Sequence, residues 1–203
     1  MHHTGGPGWR ITVDISAPLL IALYLRDASG LNGAGVPLLS AVHPQVKAVE
    51  PYQLTHQVGG MESLRFEWEQ WWAQLLGNFP GGPPELVPPD FNEFAGNPAL
   101  QRVLQAHFGA ALNWSRERIA EYRQLASRRE TMGELKILAQ LVQDRELELG
   151  RNARDFTLSI VELPLFEPRA WFMEPNRLVM SQSLLDDPEI FRSYVQPVVE
   201  MLV

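Results

Sequence analysis

A run of aromatic residues at helical spacing constrains this chain more than any other feature. Three of its six tryptophans lie in the segment Phe66-Glu67-Trp68-Glu69-Gln70-Trp71-Trp72. At about 100° per residue, one helical face collects Leu64, Trp68, Trp71, Trp72 and Leu75. The segment Met61–Leu76 is therefore predicted to be a helix that buries its tryptophan face in a core, with Gly77 as its end.

Alternating and short apolar segments predict a small β-sheet beside the helices. Residues 9–16 alternate apolar and polar side chains, which is the period of a half-buried strand. Three more short strands are predicted, separated by turn residues, at 156–160, 170–173 and 177–181. Further helices are predicted at 19–27, 97–128, 131–150 and after Asp187-Pro188. The sequence thus predicts an α+β fold in which three to five helices cover a small, mostly antiparallel sheet.

The domain organisation is predicted to be simple. Residues 1–8 are expected to form a disordered tail and residues 9–203 a single domain. Five prolines between Pro80 and Pro89 disfavour regular structure, but the neighbouring Phe79, Phe91 and Phe94 favour docking on the helices. The segment 77–97 is therefore predicted to be a proline-rich loop wrapped on the domain.

Composition excludes several classes of function. The chain has no cysteine, which removes disulfides, thiolate nucleophiles and cysteine zinc sites. Its net charge of −7 disfavours nucleic acid and anionic lipid as partners. The longest apolar stretch, Ala17 to Leu25, is too short to span a bilayer, and the N-terminus lacks the pattern of a signal peptide. A cytoplasmic protein without a cofactor is expected. No metal site is expected either, because His43 and His56 have no ligand partner at close spacing.

Arg102 and His107 are one pair of candidate catalytic residues. They lie five residues apart inside the predicted long helix, and this spacing is similar to the Arg-x4-His element of the HEPN ribonucleases. The resemblance covers six residues and implies a helical bundle that cuts RNA with a paired arginine and histidine. Alternatively, His107 is a core residue of the apolar face on which it lies.

Asp14 is a third catalytic candidate, because it ends the first predicted strand. In this position it resembles the opening of PIN-type nucleases, in which an aspartate after the first strand binds a metal. That resemblance implies further acids converging from later strand ends, for which the nominees are Asp27, Asp155, Glu162 and Glu174. The alternative role for Asp14 is that of an outward strand residue or a turn former.

Five apolar residues of two predicted helices are candidates for ligand or partner binding. On the tryptophan helix they are Phe66, Trp72 and Leu76. On the predicted helix 131–150, Ile137 and Leu141 are expected to lie opposite the stripe of Leu135, Leu138 and Val142, so that one face contacts a second layer or a second chain. In the last helix the residues expected to point inward are Ile190, Phe191, Tyr194, Val195 and Val198.

The arginines near the end of the long helix are predicted to be solvated. Arg116, Arg118, Arg123, Arg128 and Arg129 alternate with Glu117, Glu121 and Glu130, which is typical of an exposed helix face stabilised by ion pairs. Arg118 is the exception, since it falls on the apolar face, and it is expected either to pair with an acid or to mark a break in the helix.

Packing signals dominate this sequence, and no catalytic constellation assembles in it. A non-enzymatic protein–protein interaction module, binding a protein partner or a second copy of itself, is therefore the first hypothesis for its function. The alternatives are a hydrolase or nuclease of HEPN-like or PIN-like type whose residues converge only in three dimensions, and a binder of small ligands that uses the tryptophan helix.

Overall fold

The computed structural model of the chain describes residues 2–6, 8–77, 82–132, 136–173 and 175–203. The strands in this part of the chain are β1 (His2–Gly6), β2 (Trp9–Asp14), β3 (Phe156–Leu163), β4 (Ala170–Met173) and β5 (Arg177–Ser181). The helices are α1 (Ala17–Ala28), α2 (Tyr52–Thr55), α3 (Gly60–Leu76), α4 (Pro98–Met132), α5 (Lys136–Leu149) and α6 (Pro188–Leu202), with short 3-10 turns at His56–Val58, Asn92–Phe94 and Gln182–Asp186. Among the described helices none is long and apolar enough to cross a membrane.

The described residues form two compact units, one of residues 1–16 with 119–203 and the other of residues 17–118. The division falls inside α4. The single domain expected for residues 9–203 stays a prediction.

The first unit is built on one five-stranded sheet in the order β1-β2-β3-β5-β4. The pairs β1–β2 and β4–β5 are antiparallel, whereas β2–β3 and β3–β5 are parallel. The predicted combination of a small sheet with helices is confirmed, but the pairing is evenly mixed where mostly antiparallel pairing was predicted. The difference arises because β3 pairs with β5 and not with its neighbour in sequence, so that β4 lies on the outer edge of β5.

The N-terminal residues differ from the predicted disordered tail. Residues 2–6 form β1, which pairs with β2 from His2 opposite Val13 to Gly6 opposite Trp9. Composition indicated a tail because this segment has no apolar pattern. Strand pairing satisfies backbone N–H and C=O groups without one, and Gly6 lies directly against the Trp9 indole.

One face of this sheet is covered by helices. Its inward side chains from β2, β3 and β5 pack with α5 and α6 in a single apolar cluster. The cluster includes Trp9, Ile11, Val13, Leu158, Ile160, Leu178, Met180, Leu138, Leu141, Val142, Phe191, Val195, Val198 and Val199. Helix α6 begins as predicted, because the Asp187 carboxylate accepts hydrogen bonds from the backbone N–H groups of Glu189 and Ile190 at 3.0 and 3.1 Å.

The second unit is helical, and α3 lies at its centre. As predicted, the tryptophan face of α3 is buried: Trp68 donates a hydrogen bond to the Ala22 carbonyl at 2.8 Å and stacks on Trp72, with ring centroids 5.3 Å apart. Trp71 meets Phe94 edge to face at 5.4 Å. Phe91 and Phe94 are both buried, whereas Phe79 lies outside the described residues, so the wrapped loop predicted for 77–97 stays a prediction.

A buried carboxylate joins α3 to the start of α4. Glu67 Oε2 accepts a hydrogen bond from the backbone N–H of Leu100 at 2.8 Å. This N–H belongs to the first turn of α4, where backbone donors have no partner inside the helix. Burial raises the pKa of Glu67, and the backbone hydrogen bonds of Leu100 and Ala99 act against that shift. The acid thus caps a helix that is distant from it in sequence.

Candidate functional site

Polar residues lie where the parallel strands of the first unit end. Strand β2 ends at Asp14, whose partner in β3 is Val161, the residue before Glu162. Strand β5 ends at Ser181, which pairs with Leu163. Ligand sites in α/β proteins commonly lie beyond the carboxyl ends of parallel strands, so catalytic groups would be expected at this edge of the sheet.

The centre of this edge is a buried ion pair. Glu162 is only 2% exposed, and its Oε2 accepts a hydrogen bond from Arg129 Nη1 at 2.8 Å. Arg129 Nη2 also donates to the Gln182 carbonyl at 3.0 Å and to Asp186 Oδ1 at 3.2 Å. These three bonds connect the C-terminal end of α4 to β3 and to the turn that follows β5.

The buried position changes how the groups of this edge titrate. Burial raises the pKa of Glu162 to about 7, against the opposing effect of Arg129 and with smaller contributions from Asp186 and Asp14 in the same direction. The neighbouring Tyr122 hydroxyl donates to the Val13 carbonyl at 3.0 Å, and burial raises its pKa as well. Glu162 therefore exchanges its proton near neutral pH, as a general acid or base would need to.

The metal site implied by the PIN-like resemblance does not assemble in the described part of the chain. There, no group of three or more His, Asp or Glu side chains is placed to hold a metal ion. Among the nominated acids, Glu162 lies close enough to Asp14 to be affected by its charge, and Asp14 Oδ1 accepts the backbone N–H of Ile15 at 2.9 Å. Asp27 belongs to the second unit, Asp155 lies beside Gly8 before β3 begins, and Glu174 is outside the described residues.

Arg102 and His107 do not form the pair that the HEPN-like spacing suggested. Five residues of α-helix turn through about 500°, which leaves the two side chains about 140° apart. Arg102 Nη1 donates to the Leu54 carbonyl at 3.2 Å. His107 is half-buried, and burial lowers its pKa. A helix brings together residues three or four apart and not five, so the HEPN-like pairing is not made within α4 and stays a hypothesis.

Of the three partner-binding candidates on α3, only Phe66 is at the surface. It is 61% exposed, whereas Trp72 and Leu76 are buried. Trp72 and Leu76 are four residues apart and therefore share the core-facing side of the helix. Trp72 is covered by Trp68 and by the backbone at Gly35, so it is not the wall of an open ligand pocket.

Ile137 and Leu141 belong to the core and do not form a second face of α5. Leu141 is buried in the apolar cluster of the first unit, and Ile137 packs against that cluster while partly exposed. The predicted opposition to Leu138 and Val142 was wrong in its geometry. At about 100° per residue these four side chains span an arc of about 140°, so one broad face packs against one layer. Leu135 and the predicted cap residues Gly133 and Glu134 lie outside the described residues.

Two residues of the polar edge had a signal in the sequence that the initial interpretation missed. Arg129 was assigned to a solvated helix face, but it follows Tyr122 by seven residues and so shares its buried side of α4. Glu162 has the same strand parity as Leu158 and Ile160, both of which point into the core. A charged residue at an inward position predicts a buried partner of opposite charge. Arg118, in contrast, behaves as expected: it is buried over the Trp114 ring at 5.6 Å, with Glu117 at 3.6 Å.

Helix α6 carries a second apolar face that the sequence interpretation placed in the core. Phe191, Val195, Val198 and Val199 are buried, but Ile190, Tyr194 and Met201 are exposed, and so is Pro197 between them. These exposed residues follow one another at intervals of four, three and four positions, so their side chains lie within an arc of about 60° around the helix. We call Ile190, Tyr194, Pro197 and Met201 the α6 stripe.

The side of α6 away from the stripe faces α5. There, Arg192 Nη2 lies 3.4 Å from Asp144 Oδ2 across a groove of about 330 Å³. The groove is lined mainly by charged side chains, among them Asp144, Arg145, Glu148, Arg192 and Glu200. Opposite charges already meet within it, so it offers little unsatisfied charge for a ligand.

Comparison with known proteins adds no assignment: no protein family, no curated protein and no solved structure matches this chain. The geometry of the described residues is thus the basis for any proposal about function.

Proposed function

We propose that this protein is a non-enzymatic interaction module that associates with a second copy of itself through the α6 stripe and the neighbouring edge strand β4. The observation that carries the proposal is the α6 stripe itself. A helix that already buries one apolar face gains nothing in its own fold from a second one left in water, and contiguous exposed apolar surface is typical of protein–protein contact.

The position of the α6 stripe indicates which edge of the sheet lies on the same side of the unit. Arg192 and Gln196, which line the groove shared with α5, lie about 150° around α6 from the stripe. Helix α5 contacts β1, at one edge of the sheet, and the stripe lies on the side of α6 away from α5, which we infer to be the side of the opposite edge strand, β4. The stripe and the edge strand therefore belong to the same side of the unit.

Strand β4 has the properties of a surface for strand pairing. Its residues Ala170-Trp171-Phe172-Met173 carry no charge and are all half-buried. It is the last strand in the sheet, and its outer edge has no strand partner in the described part of the chain. Edge strands in stable monomers are usually blocked by charges, bulges or prolines. Here only the flanks carry such residues: Arg169 and Glu174 come directly before and after the strand in sequence, and Pro168 and Pro175 lie one position further out.

A second copy is the partner that matches this surface most simply. Antiparallel pairing of two β4 strands about a two-fold axis continues the sheet, and the same axis brings the two α6 stripes together. No charged residue lies in β4 or in the stripe, so two chains with a net charge of −7 each can approach there without forcing like charges into contact.

The test is the oligomeric state of the purified chain. We expect a dimer by sedimentation velocity, and we expect a monomer when Ile190 and Met201 are both replaced by Glu, because two charges would then be buried at the contact. Leu147→Glu is the matched control, since Leu147 is 82% exposed on α5 and lies outside the stripe. The control should remain dimeric.

Two results would contradict the proposal. One is a wild-type chain that stays monomeric at the highest soluble concentration. The other is a dimer that persists in the Ile190→Glu/Met201→Glu variant. Hydrogen exchange adds a second readout, because the backbone N–H groups of β4 that do not pair with β5 should be protected only in the dimer.

A hydrolase remains the second candidate, and one observation favours it. Glu162, with a pKa of about 7, lies with Asp14 at the carboxyl ends of parallel strands. If these acids bind a catalytic metal, millimolar MnCl2 should raise the Tm of the wild type and not that of Asp14→Asn. Under the interaction proposal, neither protein responds.

A further inference from the structure

The second unit presents an exposed apolar loop tip between two buried residues. Val36 and Leu38 are 84% and 62% exposed, while Ala34 and Leu39 on either side are buried. Pro37 lies between them and fixes its own φ. We call Val36-Pro37-Leu38 the apolar tip.

Helix α3 holds the N-terminal side of the tip. The backbone N–H of Gly35 donates to Glu69 Oε1 at 3.2 Å, and Arg65 Nη2 donates to the Asn32 carbonyl at 2.6 Å. Gly35 has a φ of +91° and lies against two tryptophan rings, so that a Cβ there would come within 2.9 Å of Trp72 Cδ1. Backbone conformation and close packing both require glycine at this position.

Helix α1 holds the C-terminal side through buried charges. Arg26 is buried and donates to the Leu39 carbonyl at 3.1 Å and to the Ser40 carbonyl at 2.7 Å. The neighbouring Asp27 accepts the Val42 backbone N–H at 2.7 Å. Arg26 also forms an ion pair with Asp27 at 2.5 Å, so the buried guanidinium has a charged partner while it holds this side of the tip.

The residue composition of the loop indicates which kind of partner the apolar tip would bind. Residues 28–46 contain no Asp, Glu, Lys or Arg, in a chain whose residues are 20% charged. Segments that insert into lipid usually combine apolar residues with nearby lysine, arginine, tryptophan or tyrosine. Residues 28–46 contain none of these, and the two arginines bonded to the loop, Arg26 and Arg65, donate to its carbonyl groups. A protein pocket that is apolar and uncharged fits better. Because both ends of the tip are fixed in advance, binding would order few new side chains.

We propose that the apolar tip inserts into an uncharged, apolar pocket of a different protein. This partner surface lies in the second unit and is independent of the self-association proposed for the first. A second copy of this chain is not the expected occupant, because its groove between α5 and α6 is lined mainly by charged side chains.

The experiment starts with a photoreactive benzoylphenylalanine at position 38 of the full chain, expressed in its native cells. The same residue at position 147 is the control, because Leu147 is also strongly exposed and belongs to the first unit. We expect one protein to crosslink at position 38 and not at 147. That protein is then purified, and its Kd for the wild-type chain and for Val36→Asp/Leu38→Asp is measured by calorimetry.

The expected result is a Kd at least about 30-fold higher for the double variant, because two apolar side chains lose their pocket. The Tm of the variant should equal that of the wild type, since both positions are exposed, which excludes unfolding as the cause. An unchanged Kd, or no adduct at position 38 beyond the control, would overturn the proposal.

Two further measurements distinguish the proposed protein partner from a membrane surface and from a second copy of this chain. Phosphatidylcholine vesicles, with and without phosphatidylserine, are tested by cosedimentation, and binding that the double variant abolishes would assign the tip to a membrane surface instead. Sedimentation velocity of Val36→Asp/Leu38→Asp should show the wild-type oligomeric state. A change in that state would make the tip part of a self-contact and would also overturn the proposal, whereas the α6 variants test the proposed function separately.

Discussion

Two Arg–Glu ion pairs of the first unit have nearly the same length and very different surroundings. Arg129 and Glu162 are 2.8 Å apart, and their side chains are 6% and 2% exposed. Arg145 and Glu148 are 2.9 Å apart, with side chains 31% and 63% exposed. Water solvates the second pair whether or not its members meet, whereas each buried charge depends on the other. The comparison shows that burial, and not distance, decides what an ion pair contributes.

The largest effect is expected from breaking the buried pair. Arg129→Ala, measured by urea unfolding at pH 8, should lower the free energy of unfolding by about 3 to 5 kcal/mol, because Glu162 is left buried without its partner. Arg129→Met combined with Glu162→Leu is the control. That double variant should recover most of the loss, since it removes both charges and keeps apolar volume. If the double variant is as unstable as Arg129→Ala, the charges are not the cause.

The next effect is a dependence of stability on pH. The pKa of Glu162 is raised from 4.5 to about 7 in the folded state, so the folded chain binds this proton more tightly than the unfolded chain. The resulting stabilisation is fully present below about pH 4.5 and is lost as the pH rises through about 7, up to roughly 3 kcal/mol at about 1.4 kcal/mol per pKa unit.

Glu162→Gln isolates this contribution, because glutamine does not titrate. The difference in unfolding free energy between wild type and variant should therefore change between pH 4.5 and 7 and be constant at higher pH. If the unfolding free energies of the two proteins change in parallel with pH across this range, Glu162 does not titrate there.

A smaller effect is expected at the buried carboxylate of the second unit. Glu67 is satisfied by a backbone N–H of α4 and not by an arginine, so its removal leaves a helix donor without its acceptor and no orphaned charge. Glu67→Ala should lower the free energy of unfolding by about 1 to 2 kcal/mol. Glu67→Gln keeps an acceptor oxygen and should lose less. An equal loss in both variants would mean that the hydrogen bond to Leu100 is not what matters.

The smallest effect on stability is expected from breaking the exposed ion pair. Glu148→Gln breaks the exposed pair with Arg145 and should change the free energy of unfolding by less than about 0.5 kcal/mol, with a further decrease in added salt. A loss comparable to that of Arg129→Ala would contradict the conclusion that burial separates the two pairs.

Much of the secondary structure could be predicted from local patterns. The helix predicted at Met61–Leu76 is observed as Gly60–Leu76, and the strands predicted at 170–173 and 177–181 are observed with those bounds. These segments were accessible because the period of their apolar residues reports which side of a helix or strand is buried. The two strand ends that differ, after Asp14 and after Ile160, are set by pairing with neighbouring strands.

The candidate sites were harder to predict, because their residues either lie far apart in the sequence or show no pattern that separates buried from exposed side chains. Arg129 and Glu162 are 33 residues apart, and neither has a motif around it. Ile190 and Tyr194 were predicted to point inward because they are apolar, but α6 has two apolar arcs and only one of them faces the sheet. The apolar tip was missed because residues 35–55 show no regular period, so that only the exposed fraction of Val36 and Leu38 reveals it.

Local patterns were enough to locate most of the helices and strands, although not β1 or α2, and to indicate that the tryptophan face of α3 is buried, because these properties depend on residues within one or two turns of each other. The pairing of β3 with β5, the contact of Arg129 with Glu162, and the choice of which apolar arc of α6 is covered depend on how the whole chain folds. Each of these outcomes requires segments distant in the chain to compete for one surface. A periodic pattern records that a side chain prefers burial, but the partner that supplies the burial is chosen by how all the segments pack together.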